Sequence, residues 1–294
     1  MGDSNWLAER FEENREYLRG LAFRMLGSVA EADDAVQECW LRLSRSDSEQ
    51  FGNLRAWLTT VVARICLDTM RSRKSKREEP LDVMVPEPAS QQRHRVDPEA
   101  EAILADSVGH ATLVVLLRLN PIERISFVLH DLFGVPFEEI ARITRRSPDA
   151  VRQTASRARR RIRGNATVAE GELGEQVSLV EKFLDGLRRG DIDLLLDVLD
   201  PQAVVRADAA AGAGKDGVEI YGAEAWARNA IEAARGARLA RAALVGGSVG
   251  LIMAPRGRLI KALRFSFANG RITAMEVIGD PQRLQEIEIA ALER

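Results

Sequence analysis

Arginine dominates the residues of this chain that could make strong polar contacts, and it is concentrated in one stretch. Between Arg142 and Arg163 there are nine arginines and a single acid, Asp149. Guanidinium groups bind phosphate oxygens and the edges of guanine, so this composition favours contact with a nucleic acid over catalysis. The net charge of the chain is only −2, so a nucleic-acid function must depend on this local patch.

Two helices joined by a short turn are predicted to position these arginines. Ser147 is a favourable N-cap, Pro148 suits the first helical position, and Asp149 suits the positive end of the helix dipole. Apolar residues at helical spacing would join the helices: Ile140, Ile143, Val151, Ala155 and Ala158. The opposite face would carry Arg152, Gln153, Thr154, Ser156, Arg157 and Arg159. This pattern predicts a helix-turn-helix whose second helix lies in a DNA major groove, and a solvated basic helix is the alternative.

The predicted DNA contacts divide by their place in this unit. Arg152, Gln153, Ser156 and Arg157 are expected nearest the bases, while residues of the turn and of the far end would hold phosphates. The full set is Arg145, Arg146, Ser147, Arg152, Gln153, Ser156, Arg157, Arg159 and Arg160. Arg145 stands where many such turns have a left-handed glycine, so either it costs roughly 1 kcal/mol or the turn differs.

The chain is long enough for three segments, and we predict their bounds from composition. Residues 1–77 read as a helical domain, 78–97 as a linker rich in charge and proline, and 98–164 as a second helical domain of about four helices. The core face of the third helix would be Leu54, Trp57, Leu58, Val61, Ile65 and Leu67. Residues 165–174 would form a second linker, and 175–294 an α+β domain.

The α+β tail is predicted to place helices first and an antiparallel sheet after them, around an apolar pocket. Asn269-Gly270 lies between two strand-like runs and indicates a hairpin. A terminal helix is expected over 281–292. Four residues could line the pocket: Asp208, Tyr221, Trp226 and Glu276. A tail without histidine or cysteine gives weak support for an acid–base site, so we predict no catalytic residue.

Several classes of protein are disfavoured by what the sequence lacks. Cys39 and Cys66 are the only cysteines, and each lies in a predicted helix, which argues against disulfides and zinc and favours two small core residues. We expect no metal and no cofactor. The polar, acidic N-terminus does not resemble a signal peptide, and no apolar run is long enough for a membrane span. A cytoplasmic protein without a membrane partner is expected.

The order of three motifs resembles the extracytoplasmic-function sigma factors of bacterial RNA polymerase. AEADDAVQECWLRL (residues 30–43) resembles the acidic region 2 helix that docks on the polymerase clamp, and the segment 51–74 resembles the promoter-melting helix. The segment from 128 to 163 resembles region 4, which reads the −35 element. The resemblance implies core RNA polymerase and promoter DNA as partners.

Residue roles in the first domain follow from this resemblance together with charge. The predicted polymerase contacts are Asp33, Asp34, Gln37 and Glu38, although acids at a helix start also suit the dipole. The predicted −10 contacts are Asn53, Arg55, Arg64, Arg71, Arg73 and Lys74. Trp57 could stack on a flipped base, but its apolar spacing favours a core position.

The tail resembles the SnoaL-like, nuclear-transport-factor-2-like domain that one subgroup of these sigma factors carries. That subgroup has a Trp-Leu-Pro-Glu-Pro motif in the linker, of which Pro86, Glu87 and Pro88 remain here. Its Asp-Gly-Gly-Gly-Arg motif corresponds to a stretch that begins at Asp208 and departs from the pattern. The resemblance implies that the tail regulates the sigma domains in cis, through an apolar pocket that could bind a small ligand.

Two other functions stay open at this point. One is a helix-turn-helix regulator that never contacts polymerase, against which the two region 2 motifs argue. The other is a bifunctional protein whose tail is an isomerase or cyclase. We expect the free chain to be a monomer, because its long apolar faces have intramolecular uses.

Overall fold

The computed structural model describes residues 2–46, 52–78, 109–164, 170–211, 217–232 and 234–292 of the 294-residue chain. These residues form two compact units. The first contains Met1–Gly109 and Leu116–Arg159, and the second contains His110–Val115 and Arg160–Arg294. The linker around Pro86, Glu87 and Pro88 lies outside the described residues. Each unit is described separately.

Three helices begin the first unit: α1 (Gly2–Leu26), α2 (Val29–Leu43) and α3 (Leu54–Glu78). The N-cap of α2 is Ser28, whose hydroxyl accepts from the Glu31 N–H, and Gly27 precedes it with φ +74°. The predicted core face of α3 is partly wrong. Leu58 and Leu67 are buried, whereas the other predicted members (Leu54, Trp57, Val61 and Ile65) are only half-buried.

Burial on α3 instead follows a neighbouring stripe. Val62, Ala63, Cys66 and Met70 join Leu58 and Leu67 in the core beneath α1 and α2. Apolar residues occur on more than one side of this helix, so the apolar pattern alone does not identify the buried side.

The second helical region contains α4 (His110–Arg118), α5 (Pro121–Phe127), α6 (Phe137–Thr144) and α7 (Pro148–Arg163). Four helices were predicted here. The start of α5 is fixed by a capping box in which Asn120 and Glu123 exchange side-chain and backbone bonds. A π-helical turn, Val128–Leu132, extends α5 before the chain enters α6.

Arg124 ties these helices to α1 within the first unit. Its guanidinium donates to the Met25 carbonyl oxygen at 2.6 Å, to Leu117 at 2.6 Å and to Leu119 at 3.2 Å. Met25 lies in the last turn of α1, where carbonyls have no partner within the helix. Burial lowers the pKa of Arg124 to about 10, helped by the nearby Arg73 charge. The side chain therefore stays protonated near neutral pH.

The second unit begins with α8 (Glu170–Arg189) and α9 (Ile192–Val198) and continues with helix α10 (Ala223–Glu232) between strands. Its strands are β1 (Leu199–Ala207), β2 (Val218–Tyr221), β3 (Ala240–Val245), β4 (Ser248–Met253), β5 (Lys261–Ala268), β6 (Arg271–Ile278) and β7 (Ile289–Ala290). They form one sheet in the order β2-β1-β6-β5-β4-β3-β7. The prediction of an α+β tail after all-α regions is confirmed.

Two details of the tail prediction are wrong. The sheet is mixed, because β1 pairs in parallel with β6 while its other ladders are antiparallel. The terminal helix α11 (Pro281–Glu286) is short: the chain turns extended at Ile287 (ψ 132°) and pairs through β7 with β3. A two-residue strand has no periodicity to detect, and its pairing partner lies far away in sequence.

The helices of the second unit cover one face of the sheet around an aromatic cluster. Phe183 of α8 lies 5.7 Å from the ring of Trp226 and 5.4 Å from that of Phe265. Offset and edge contacts of this kind add to the large apolar area that aromatic residues bury. Trp226 is 1 % exposed and belongs to this core.

Candidate nucleic-acid interface

The turn before α7 determines where the helix begins. Arg145 adopts the left-handed conformation (φ 57°, ψ 47°) at the end of α6, as expected at a position that glycine often occupies. The Arg146 N–H then reaches back to the Ala141 carbonyl oxygen at 3.0 Å, which is the Schellman pattern of a helix end. Ser147 caps α7, since its hydroxyl accepts from the Ala150 N–H at 3.2 Å.

The packing face of α7 contains the predicted residues, and the outer face contains the predicted residues except Thr154. Ile140, Ile143, Val151, Ala155 and Ala158 are buried. Arg152, Gln153, Ser156 and Arg157 are exposed on the opposite side. Thr154, predicted with them, is buried and donates to the Ala150 carbonyl oxygen at 2.7 Å. A threonine hydroxyl can return to its own helix backbone, which makes burial tolerable.

Three arginines of α7 have partners inside the unit. Arg152 pairs with Asp149 at 2.7 Å and lies over the Phe137 ring, 5.2 Å from its centroid. Arg159 donates to Asp131 at 2.6 Å. Arg157 donates to the Thr154 hydroxyl at 3.4 Å. Gln153 and Ser156 lie between these anchored arginines with exposed side chains.

The remaining predicted members of this surface are exposed at its two ends. Arg145 and Arg146 lie in the turn, and Arg160 lies in the last turn of α7. The arrangement places short polar side chains at the centre of the helix and cations at its margins. That arrangement suits base edges at the centre and phosphates at the rim. The surface formed by the nine predicted residues is called the recognition surface below.

The basic residues predicted on α3 are held by local contacts. The guanidinium carbon of Arg55 lies 3.9 Å from the Tyr17 ring centroid, and the Tyr17 ring meets that of Phe133 edge-on at 5.2 Å. Arg73 pairs with Glu31 and also donates to the Leu26 carbonyl oxygen at 3.3 Å.

Asn53 has a local function that the sequence analysis missed. Its side-chain oxygen accepts from the Ala56 N–H at 3.1 Å, which caps α3. Arg64 is exposed, and Arg71 lies 4.0 Å from Asp68. The Lys74 side chain lies outside the described residues.

The predicted polymerase contacts on α2 differ in their ion pairs. Asp33 accepts from Arg19 at 2.7 Å, and Glu38 pairs with Arg42 at 3.0 Å. Asp34 and Gln37 are exposed, and Leu41 follows them at helical spacing. Sequence reasoning missed Leu41, which is 40 % exposed. An exposed leucine that follows an acid and a glutamine at helical spacing (i, i+3 and i+7 for Asp34, Gln37 and Leu41) is a usable signal for a docking surface.

Both cysteines are buried in the first unit. Burial raises the pKa of the Cys39 thiol to about 12 and that of Cys66 to about 12. A thiol that stays protonated is a poor nucleophile and metal ligand. The interpretation of both as small core residues is consistent with these positions.

The four residues proposed to line a tail pocket are not gathered around one space. Trp226 lies in the core, whereas Tyr221 is 65 % exposed on the edge strand β2. The Asp208 carboxylate accepts from the backbone N–H groups of Ala211 at 2.9 Å, Gly279 at 3.0 Å and Asp280 at 3.1 Å. Asp208 therefore ties the end of β1 to the turn after β6.

Glu276 meets Asp208 through a shared arginine. Arg283 lies 3.6 Å from Asp208 and 2.5 Å from Glu276, and Arg264 approaches Glu276 from the other side at 2.5 Å. Burial acts to raise the pKa of Glu276, but the two arginines outweigh it and leave the pKa below its usual value. A carboxylate held ionised by two cations is a weak proton acceptor.

Known proteins similar to this chain agree on one family. The model of Sigma-70 region 2 matches residues 10–76, and that of Sigma-70 region 4 matches residues 111–162. A probable ECF RNA polymerase sigma factor SigI of Mycobacterium tuberculosis is 32 % identical over 288 residues, which is 98 % of each chain. The chain belongs to the ECF family of RNA polymerase sigma factors.

Other similar proteins cover between about two thirds and nearly all of this chain. The ECF sigma factor SigJ of M. tuberculosis is 38 % identical over 200 residues, covering 68 % of this chain and 64 % of its own. A crystal structure of M. tuberculosis SigJ aligns with 94 % of this chain and 98 % of its own at 30 % identity, with a TM-score of 0.46. Among the residues described here, none of the helices combines the length and apolar character needed to cross a membrane.

Proposed function

We propose that this sigma factor binds core RNA polymerase and directs it to promoters, using α7 for the −35 element and α3 for the −10 element. The observation that carries the proposal is the recognition surface, on a helix-turn-helix that lies within the match to region 4. A cytoplasmic site of action and a monomeric free state complete the proposal.

Base reading is assigned to the centre of α7. Gln153 and Ser156 are exposed on a helix whose neighbouring arginines are positioned by Asp149 and Asp131. Glutamine reads adenine through two hydrogen bonds, and serine adapts to several base edges. Held arginines lose less side-chain entropy on binding, because their rotamers are already restricted.

Polymerase docking is assigned to α2, and three of its residues are favoured as the contacts. Asp34, Gln37 and Leu41 share one exposed stripe, whereas Asp33 and Glu38 each already have an arginine partner. An apolar anchor bordered by polar residues is a common arrangement in protein interfaces. We therefore expect Leu41 to contribute more than either paired acid.

The tail is proposed to regulate the sigma domains without catalysing a reaction. Asp208 is occupied by three backbone donors, and Glu276 by two arginines. Neither carboxylate is arranged as a proton acceptor in a pocket. A small apolar ligand in the tail would remain part of this regulatory proposal.

In vitro transcription with purified core polymerase tests the function. The template is the DNA upstream of the gene for this chain, and specific transcripts are expected from the full-length protein. Gln153→Ala is expected to lower initiation roughly 5- to 150-fold, which corresponds to a base contact worth about 1–3 kcal/mol. Arg142→Ala is the matched control, because Arg142 is exposed on α6 outside the recognition surface.

The outcomes separate the competing functions. If the protein binds DNA but no variant, including the wild type, supports initiation, a regulator independent of polymerase replaces the proposal. If Leu41→Ala lowers affinity for core polymerase while Arg42→Ala does not, docking through α2 is supported. Equal affinity for all three proteins contradicts the docking surface.

A further inference from the structure

The last turn of α7 is held by the end of the chain. Residues from Arg160 onward belong to the second compact unit, which also contains the residues after β6. The Ala291 N–H donates to the Ile162 carbonyl oxygen at 2.8 Å. Carbonyls in the last turn of a helix have no partner within the helix, so this bond caps α7 from a residue far away in sequence.

Gly164 makes close contact possible at the same place. It follows α7 with φ +61°, and its N–H donates to Arg160 at 2.9 Å. A β-carbon at this position would lie 2.3 Å from the β-carbon of Ala290. Only glycine fits, because it combines the left-handed conformation with space for Ala290.

The partner segment is itself fixed to the sheet. Ile289 and Ala290 form β7, which pairs with Val245 and Leu244 of β3. Next to this ladder, the Gly246 N–H donates to the Glu288 carbonyl oxygen at 2.8 Å. Ile289 and Ala290 are both buried. The segment 289–292, called the terminal strap below, is therefore an extension of the sheet and not a loose chain end.

We propose that the terminal strap is a positioning element for the recognition helix. It keeps the last turn of α7 helical and so holds Arg160 and its neighbours where they can contact DNA phosphates. This inference rests on the proposed binding of DNA by α7. It specifies how the tail supports promoter recognition: through one capping bond and one glycine contact.

The physical reason is that helix ends fray when nothing holds them. The last turn carries Arg160, Arg161 and Arg163, which follow the contact of Arg159 with Asp131. If the turn frays, the cations beyond Arg159 lose their fixed positions. Each lost phosphate contact reduces the dependence of affinity on salt by about 0.9 in the log–log slope.

A double-variant cycle in the full-length protein tests the strap. Gly164→Ala introduces the contact with Ala290, and Ala290→Gly removes the opposing β-carbon. Gly270→Ala is the matched control, since Gly270 has φ +68° and nothing within 4 Å of an added β-carbon. The probe is a short DNA duplex of mixed sequence, because phosphate contacts do not depend on sequence. Affinity is measured from about 50 to 200 mM salt.

Gly164→Ala is expected to weaken binding roughly 3- to 10-fold and to lower the salt slope by about 1 to 2. The double variant should recover the affinity and slope of Gly270→Ala, because only the backbone strain remains. A variant that loses DNA affinity only because it unfolds would also lose helical signal in circular dichroism. Ala291→Pro is then the second test of the strap, since it removes the capping N–H without changing Gly164.

The results that overturn the strap differ from those that overturn the function. If the wild type binds no duplex, the proposed DNA-binding function fails. If the wild type binds and both Gly164→Ala and Ala291→Pro keep its affinity and salt slope, the strap is wrong. Failure of Ala290→Gly to rescue Gly164→Ala also contradicts it, because the contact with Ala290 would then not be the cause.

Discussion

Arg145 offers a way to separate backbone strain from charge at the recognition surface. Its φ of 57° and ψ of 47° place a non-glycine residue in the left-handed region. That conformation costs an L-residue about 1–2 kcal/mol. Glycine removes the cost but gains about 0.4–1 kcal/mol of conformational entropy in the unfolded chain. The net effect of Arg145→Gly is therefore a stabilisation of roughly 0.5–1 kcal/mol.

Arg145→Ala is the matched control for this prediction. Alanine removes the same charge but keeps a β-carbon, so the free energy of unfolding should stay within about 0.5 kcal/mol of the wild type. The measurement is the Tm, by calorimetry of the full chain, of the unit that contains α6 and α7. For a unit of this size, about 2–4 °C in Tm per kcal/mol predicts a rise of roughly 1–4 °C for glycine alone.

DNA binding gives the second half of the experiment. Both variants lose one exposed cation, so both should reduce the salt slope of duplex binding by about 1. The strain argument is refuted if Arg145→Gly is no more stable than Arg145→Ala. The charge argument is refuted if the salt slope is unchanged in both variants, whatever happens to Tm.

Two further predictions concern buried groups. Cys39 and Cys66 should react with iodoacetamide only after unfolding, and labelling of the native protein at neutral pH would contradict this. The free energy of unfolding should fall as pH rises from about 9 towards 12, because the folded protein keeps thiol protons that the unfolded chain releases. Arg124→Met should lower the free energy of unfolding by about 2 kcal/mol, because the carbonyls of Met25, Leu117 and Leu119 lose a charged donor. An unchanged midpoint of unfolding in urea would contradict this prediction.

The sequence predicted those parts of the recognition surface that depend on neighbours along the chain. Ser147 caps α7 as predicted, because caps are set within a few residues, and Arg145, for which a strained or a different turn was left open, is left-handed. The apolar contact between α6 and α7 followed from helical spacing for the same reason. The hairpin at Asn269-Gly270 is also present, between β5 and β6.

Features that depend on distant partners were missed or misassigned. The parallel pairing of β1 with β6 and the short strand β7 have no local signature. Leu54 and Val61 fit a helical stripe as well as Val62 does, so the packing of the neighbouring helices decides which side is buried. Asp208 was predicted to line a pocket, yet its partners are backbone groups, two of which follow β6, the strand next to β1.

Partners that lie far away in sequence also explain why composition alone overestimates the number of phosphate contacts in a DNA-binding surface. Nine arginines between 142 and 163 suggest nine equivalent phosphate contacts. Asp131 already neutralises Arg159, and Asp149 lies against Arg152, so each would exchange or share a partner on binding DNA. Arg145 and Arg160 are exposed at opposite ends of the surface. Counterion release depends on cations that gain a phosphate without losing an equal partner. The salt dependence of binding should therefore report the end arginines more than the paired ones.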